Sequence, residues 1–164
     1  MLEYDFKLDV YRAMCAAAWL MFFLILKNII LVIILFIQRR NDYIYKKPGD
    51  TNIETTEDWS LAGRIQRILA NDVEYMSYFF ILLLIMFCRL DLVSQDNHHY
   101  LGRVLVYGIL FTIGRYLHTI SYLIQNTYGR ILGFLITIII LIVISVDHVY
   151  YMSKALHDLK SINF

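Results

Sequence analysis

Apolar residues gather into four stretches along the chain, separated by polar segments. The first runs from Met14 to Ile37 and is broken only by Lys27 and Asn28. The second runs from Tyr75 to Cys88, behind a charged, helix-forming lead-in. The third runs from Val104 to Ile124, with Arg115 and His118 inside it, and the fourth from Ile131 to Val146. A helix needs roughly 20 residues to cross a bilayer core. The first and third stretches reach that length alone; the second and fourth reach it with the flanks Asn71–Tyr75 and Asp147–Tyr151. Their length, and the lack of regular Gly/Pro/Asn punctuation, favour helices over strands. The pattern therefore predicts an all-α integral membrane protein: one domain over residues 1–164, a four-transmembrane-helix bundle with spans near 12–38, 60–89, 101–124 and 130–151.

The remaining segments read as loops. Gln38 to Trp59 contains a turn at Lys46-Lys47-Pro48-Gly49-Asp50, and Asp58 is placed to cap the second helix. Arg89 to His99 forms the second loop, and Gln125 to Arg130, around Gly129, the third. The N-terminus reads as a first span rather than a cleaved signal peptide, because Glu3, Asp5 and Asp9 precede an apolar run too long for such a peptide. Arg39, Arg40, Lys46, Lys47, Arg64, Arg67 and Arg130 fall on the side of the first and third loops. Lys7, Arg12, Arg89, Arg103, Lys154 and Lys160 fall on the other. The first set is denser near the helix ends, which places the first and third loops in the cytoplasm.

Composition sharpens this picture. Hydrophobic residues make up 59% and charged residues 18%, against about 25% charged in a soluble domain. Intrinsic disorder is excluded by that hydrophobicity. Fifteen Lys/Arg against 14 Asp/Glu leave a net charge of +1, so no basic field exists to hold nucleic acid. The two cysteines, Cys15 and Cys88, lie in apolar runs and indicate no disulfide framework. Pro48 is the one proline, which suits long helices. His98-His99 has no metal-ligand spacing to other donors, and the chain carries no nucleotide loop, zinc motif or nucleophile elbow.

Polar residues inside the spans carry the candidate chemistry, because ionisable groups there are costly and face the bundle interior or a watery cavity. Arg64, Arg67, Asn71, Glu74 and Tyr78 recur at helical spacing and form one stripe. Arg115, His118 and Tyr122 form another. Arg39 and Arg40 close the first span, and Arg130 opens the fourth on the same side. Arginine grips carboxylates through a planar two-pronged donor, Glu74 accepts from an ammonium group, and Asn71 both donates and accepts. That set suits a peptide-like ligand with two carboxylates and one amine. Structural readings stand beside it. Arg64 and Arg67 serve equally as headgroup anchors, Glu74 with Arg115 as an interhelical ion pair, and His118 as a packing residue. Lys27 and Asn28 can hydrogen-bond across the bundle.

The run from Arg64 to Glu74, with Arg64, Arg67, Asn71, Asp72 and Glu74 in the order Arg-x-x-Arg-x-x-x-Asn-Asp-x-Glu, resembles the second-helix signature of the MAPEG family of membrane-associated proteins in eicosanoid and glutathione metabolism. The segment Arg115-Tyr116-Leu117-His118-Thr119-Ile120-Ser121-Tyr122-Leu123 resembles the third helix of its microsomal glutathione S-transferase and prostaglandin E synthase branch. Lys27 followed by Arg39 fits that branch's first helix. The resemblance covers nearly the whole chain and comes nearest the type 1-like transferases. It implies a homotrimer in the endoplasmic reticulum or a related membrane, with glutathione as co-substrate bound between subunits near the cytoplasmic face. By the same resemblance Arg39, Arg67, Asn71, Glu74, His118 and Tyr122 contact glutathione, and Arg130 lies near its thiol. Leu69 stands where the family pattern commonly has a histidine, and Ala70, Ile131 and Phe134 depart from the prostaglandin synthase and argue against isomerase specificity.

The activity this implies is transfer of glutathione to a hydrophobic electrophile, with reduction of lipid hydroperoxides beside it. Arg130 and Tyr122 are then the catalytic residues, stabilising a thiolate. Other readings are a non-catalytic lipid- or partner-binding member, which predicts binding without turnover, a glutathione-dependent prostaglandin E synthase, and a small channel using Glu74, Arg115, His118 and Asp147, which predicts conductance without glutathione.

Overall fold

A computed structural model describes residues 2–45, 60–88 and 100–162. These form four helices: α1 (Leu2–Tyr45), α2 (Leu61–Cys88), α3 (Tyr100–Leu123) and α4 (Thr127–Ile162). No strand occurs among the described residues. The turn at Lys46–Asp50, the Asp58 cap and the second loop with His98-His99 lie outside them. Each helix contains a segment long and apolar enough to cross a membrane: Val10–Arg40, Leu61–Cys88, Gly102–Leu123 and Thr127–Lys154. The shortest has 22 residues, or about 33 Å at 1.5 Å per residue, against a hydrocarbon core of about 30 Å. A membrane-spanning backbone must satisfy its own hydrogen bonds, and a helix does so within one segment. Both α1 and α4 continue well past their apolar portions, because their polar ends contain no proline or glycine to stop them.

α3 is the centre of the bundle and packs against all three other helices; α1 and α4 lie on opposite sides of it, without contact between them among the described residues. The closest pairing is α3 with α4. Glycine makes it possible. A Cβ on Gly133 would sit 2.5 Å from the His118 backbone nitrogen and 2.8 Å from the Gly114 carbonyl oxygen. Small residues let helix backbones approach in this way, where lipid supplies no hydrophobic drive to pack them.

Ser60 caps α2: its Oγ accepts from the Gly63 N–H at 3.1 Å, satisfying one of the orphan amides of the first turn. The third loop is shorter than Gln125 to Arg130. Asn126 N–H donates to Ser121 O at 2.8 Å and Gln125 N–H to Tyr122 O at 3.3 Å, the pattern of a Schellman stop with Gln125 at φ 61°. Asn126 then caps α4, accepting from Gly129 N–H at 3.2 Å. Gly129 is thus already helical, and a Cβ there would run into Ser121 Oγ. The glycine serves close packing, and the turn itself falls on Gln125.

The interior has two apolar clusters. One joins Ala13, Ala17 and Leu24 of α1 to Met76, Phe79, Leu83 and Met86 of α2, Val104 and Phe111 of α3, and Ile140 and Ile144 of α4. Phe79 and Phe111 stack within it, ring centroids 4.0 Å apart. The other joins Leu31, Ile65 and Ile68, with Tyr122 and Leu123 packed against them. Outside, most large residues of α1 are exposed, Trp19, Phe22, Ile29, Ile33 and Phe36 among them. So continuous an apolar surface belongs in lipid or against another chain.

Candidate functional site

Between the two apolar clusters lies a polar layer. On α1, Lys27 falls between Leu24 of the first cluster and Leu31 of the second. On α2, Asp72 falls between Ile68 and Met76 on the buried face Ile65, Ile68, Asp72, Met76, Phe79, Leu83, Met86. On α3, Arg115 follows Phe111 by one turn. Helical periodicity puts each of these residues on the same face of its helix as the buried apolar side chains around it. The Asp72 carboxylate forms ion pairs with both Lys27 and Arg115. Arg115 Nε donates to Asp72 Oδ1 at 2.8 Å, and Lys27 Nζ also donates to Thr119 Oγ1 at 3.2 Å. Arg115 and Asp72 are fully buried, and Lys27 is 6% exposed. Buried charges persist only when paired and hydrogen-bonded, and here one carboxylate serves two cations from two helices.

The network reaches outward through Asn71 and Tyr75. Arg115 Nη2 donates to Asn71 Oδ1 at 2.9 Å, and its guanidinium lies over the Tyr75 ring, 5.4 Å from the centroid. Asn71 is half-buried, while Arg67, Glu74 and Tyr78 of the same stripe are exposed. The stripe therefore lies on the face of α2 turned away from its own bundle. Glu74 makes no ion pair with any described residue. The expected pairing of Glu74 with Arg115 does not occur: Asp72, two residues earlier and on the opposite side of α2, takes that place.

At the end of the bundle where α2 and α4 begin, further polar side chains gather. Arg39 of α1 donates through Nη2 to Gln66 Oε1 at 3.3 Å. Arg64 Nη1 donates to the Leu123 carbonyl at 2.8 Å, filling an orphan acceptor at the end of α3, so Arg64 is a helix cap rather than a free headgroup anchor. The Arg130 guanidinium lies over the Tyr122 ring, 5.0 Å from its centroid, and Tyr122 stands 5.7 Å ring to ring from His118. Arg130 and Tyr122 are half-buried and His118 is buried. The structure thus joins Arg130, Tyr122 and His118 on α3 and α4, and Asn71 to Arg115. It leaves Arg39, Arg67 and Glu74 on exposed surface of α1 and α2.

Asn28 donates to Met76 Sδ at 3.4 Å, which links α1 to α2 as expected of a span amide. Ile131 is exposed, and Phe134 packs edge-on against Tyr75, centroids 5.7 Å apart. At the opposite end of the bundle Arg103 pairs with Asp147 at 3.5 Å and stacks on Tyr151, 4.4 Å from its centroid. His148 Nε2 donates to the Leu82 carbonyl at 2.6 Å. These contacts tie α3 to α4 and α4 to α2. Among the described residues no group of His, Cys, Asp or Glu is placed to hold a metal ion, and Cys15 and Cys88 are free and exposed.

The residue of this buried network missed in the sequence was Asp72. It stood inside the quoted signature, but the stripe reading passed over it for its neighbours Asn71 and Glu74. Its signal was its register. It is the single carboxylate on an otherwise apolar helical face, and the buried faces of α1 and α3 carry the cations Lys27 and Arg115.

Compared with known proteins, the chain matches the sequence model of the MAPEG family over residues 17–149. No curated protein and no solved structure gave a match.

Proposed function

Given that the chain belongs to the MAPEG family, we propose that it is a membrane-bound glutathione transferase of the microsomal type, which conjugates glutathione to hydrophobic electrophiles and reduces lipid hydroperoxides with the same thiolate. The observation that carries this reading is the outward stripe Arg67, Asn71, Glu74. Glu74 lies about 20 Å along α2 from its first residue, at 1.5 Å per residue. A carboxylate exposed to lipid at that depth is costly. It is accommodated when a second copy of the chain and a polar ligand cover this face, as in a homotrimer with the ligand between subunits.

The chemistry divides between the two ends of the ligand. Arg39, Arg67, Asn71 and Glu74 hold the carboxylates and the ammonium group of the tripeptide, and His118 and Tyr122 flank it. Positioning of this kind supplies a large part of a rate enhancement. Arg130 faces the sulfur, with the Tyr122 hydroxyl as a second donor; the 5.0 Å separation of guanidinium and ring supports their acting together. A free thiol has a pKa of about 8.5 and attacks as the thiolate. Each unit by which a guanidinium lowers that value corresponds to about 1.36 kcal/mol of differential stabilisation. The thiolate then adds to the electrophile and displaces its leaving group. With a hydroperoxide it attacks the terminal oxygen and releases the alcohol, and a second glutathione converts the sulfenic product to the disulfide and water. The apolar co-substrate arrives from the bilayer. The polar end of the bundle faces the cytoplasm, in the endoplasmic reticulum or a related membrane.

Purified protein mixed with glutathione is expected to show thiolate absorbance and to conjugate a chlorodinitrobenzene. Arg130→Ala lowers turnover more than binding, and Arg67→Ala mainly weakens binding. A second reading is favoured by Ile131 and Phe134, which put no hydroxyl beside Arg130: a non-catalytic member that binds lipid or a partner. Glutathione or lipid binding with neither a thiolate signal nor conjugation would establish that reading against the first.

A further inference from the structure

We propose that Arg115, held by Asp72, is a positioning residue that fixes the Asn71 amide as a hydrogen-bond donor toward the bound ligand. The ligand group that meets Asn71 is then an acceptor, a carboxylate or peptide carbonyl oxygen. This rests on the glutathione reading above and assigns one of its contacts a polarity.

A side-chain amide is ambiguous by itself, since its oxygen accepts and its nitrogen donates from nearly the same shape. The partner decides which end faces where. Arg115 carries donors only, and its Nη2 lies 2.9 Å from Asn71 Oδ1. The amide oxygen of Asn71 is therefore turned into the buried network, and its NH2 is left for the open side of α2. Asn71 is half-buried, with exposed Arg67 one turn before it and exposed Glu74 one turn after. The outer face of α2 then reads donor, donor, acceptor.

Arg115 is in turn fixed by three contacts. Its Nε and Nη2 both bond Asp72 Oδ1, and its guanidinium covers the Tyr75 ring. The Asp72 carboxylate is itself anchored from its other oxygen by Lys27. A planar fork with several donors bonds two acceptors at once; an ammonium at the same position is a point charge and does not reproduce that geometry. The buried ion pairs thus determine more than helix packing, because the orientation of a surface amide depends on them.

The test is glutathione binding by calorimetry to the full chain in lipid nanodiscs, for the wild type, Asn71→Ala, Asn71→Asp, Arg115→Lys and the double variant Arg115→Lys/Asn71→Ala. Asn71→Asp keeps an acceptor for Arg115 and loses the outward donor, so it is expected to weaken binding about tenfold, at least as much as Asn71→Ala. Arg115→Lys is expected to weaken binding by a similar factor when Asn71 is present and to add nothing when it is alanine. Wild-type affinity in Asn71→Asp would overturn the inference, as would an Arg115→Lys effect of equal size in both backgrounds, which marks a purely structural role. Should Arg115→Lys fail to fold, the two Asn71 variants decide alone. A wild type that binds no glutathione overturns the functional reading itself, and the inference with it.

Discussion

Replacing Asp72 by asparagine removes the one negative charge in the polar layer and leaves Lys27 and Arg115 facing each other across a neutral amide. The change is nearly isosteric, so little packing is lost. Asp72 and Arg115 are fully buried and Lys27 is 6% exposed, so water reaches neither cation freely. The carboxylate accepts from Lys27 Nζ and from Nε and Nη2 of Arg115. A hydrogen bond to a charged group contributes about 1.5–3 kcal/mol, but these three share two oxygens and do not add. Removing one partner of a buried ion pair costs about 3–5 kcal/mol, because an uncompensated charge remains. Interhelical polar contacts in bilayers average only about 0.6 kcal/mol in double-mutant cycles, since the unfolded helices find other partners. Burial of all three groups argues for the larger figure. The expected loss is about 3 kcal/mol, with Glu74→Gln on the exposed side of the same helix changing stability by less than about 0.5 kcal/mol. The assay is reversible unfolding of the reconstituted protein in denaturing detergent, followed by helical circular dichroism. A triple variant, Lys27→Met, Asp72→Leu, Arg115→Met, removes all three charges and is expected to recover most of the loss. Asp72→Asn unfolding within about 1 kcal/mol of wild type would refute the reasoning, because the layer would then not depend on its carboxylate.

Four further outcomes follow from the backbone and the helix ends. Gln125→Gly is expected to stabilise by about 0.5–1 kcal/mol, because the left-handed conformation at φ 61° costs a side-chain-bearing residue about 1–2 kcal/mol and glycine gives part of that back in unfolded-chain entropy; thermal unfolding reads it. Gly133→Ala is expected to destabilise by about 1–3 kcal/mol, since its Cβ would meet the His118 backbone at 2.5 Å. Gly102→Ala, where nothing lies within 4 Å, is expected to be neutral or stabilising by up to about 1 kcal/mol, and the pair is compared in one thermal-shift experiment. Arg64→Met keeps most of the side chain's length and loses the bond to the Leu123 carbonyl; it is expected to cost about 1.5–3 kcal/mol and to speed amide hydrogen exchange at the α3–α4 turn.

The membrane character and the number of helices were legible in the sequence, because bilayer thickness sets the length of an apolar run and backbone hydrogen bonding sets its conformation. The stripe Arg67, Asn71, Glu74 was legible too, since the period of a helix is a local property. So was membership of the MAPEG family, whose model matches residues 17–149, since family motifs depend on residue order alone. Local chemistry also misled in places. Gly129 looked like the turn residue, yet glycine there serves contact with Ser121 on α3, and Gln125 carries the strained φ.

What the sequence left undetermined was the direction each stripe faces. Asp72 and Glu74 are two residues apart, both acidic, and both within reach of an arginine on paper. Which of them meets Arg115 depends on the rotation of α2 about its axis against α1 and α3. That rotation is set by the apolar contacts of Ile65, Ile68, Met76 and Phe79, and by glycines that let α3 and α4 close up. Periodicity assigns residues to faces. Only packing across helices, between side chains 43 and 45 positions apart, decided that Asp72 lies inside with two cations and Glu74 outside.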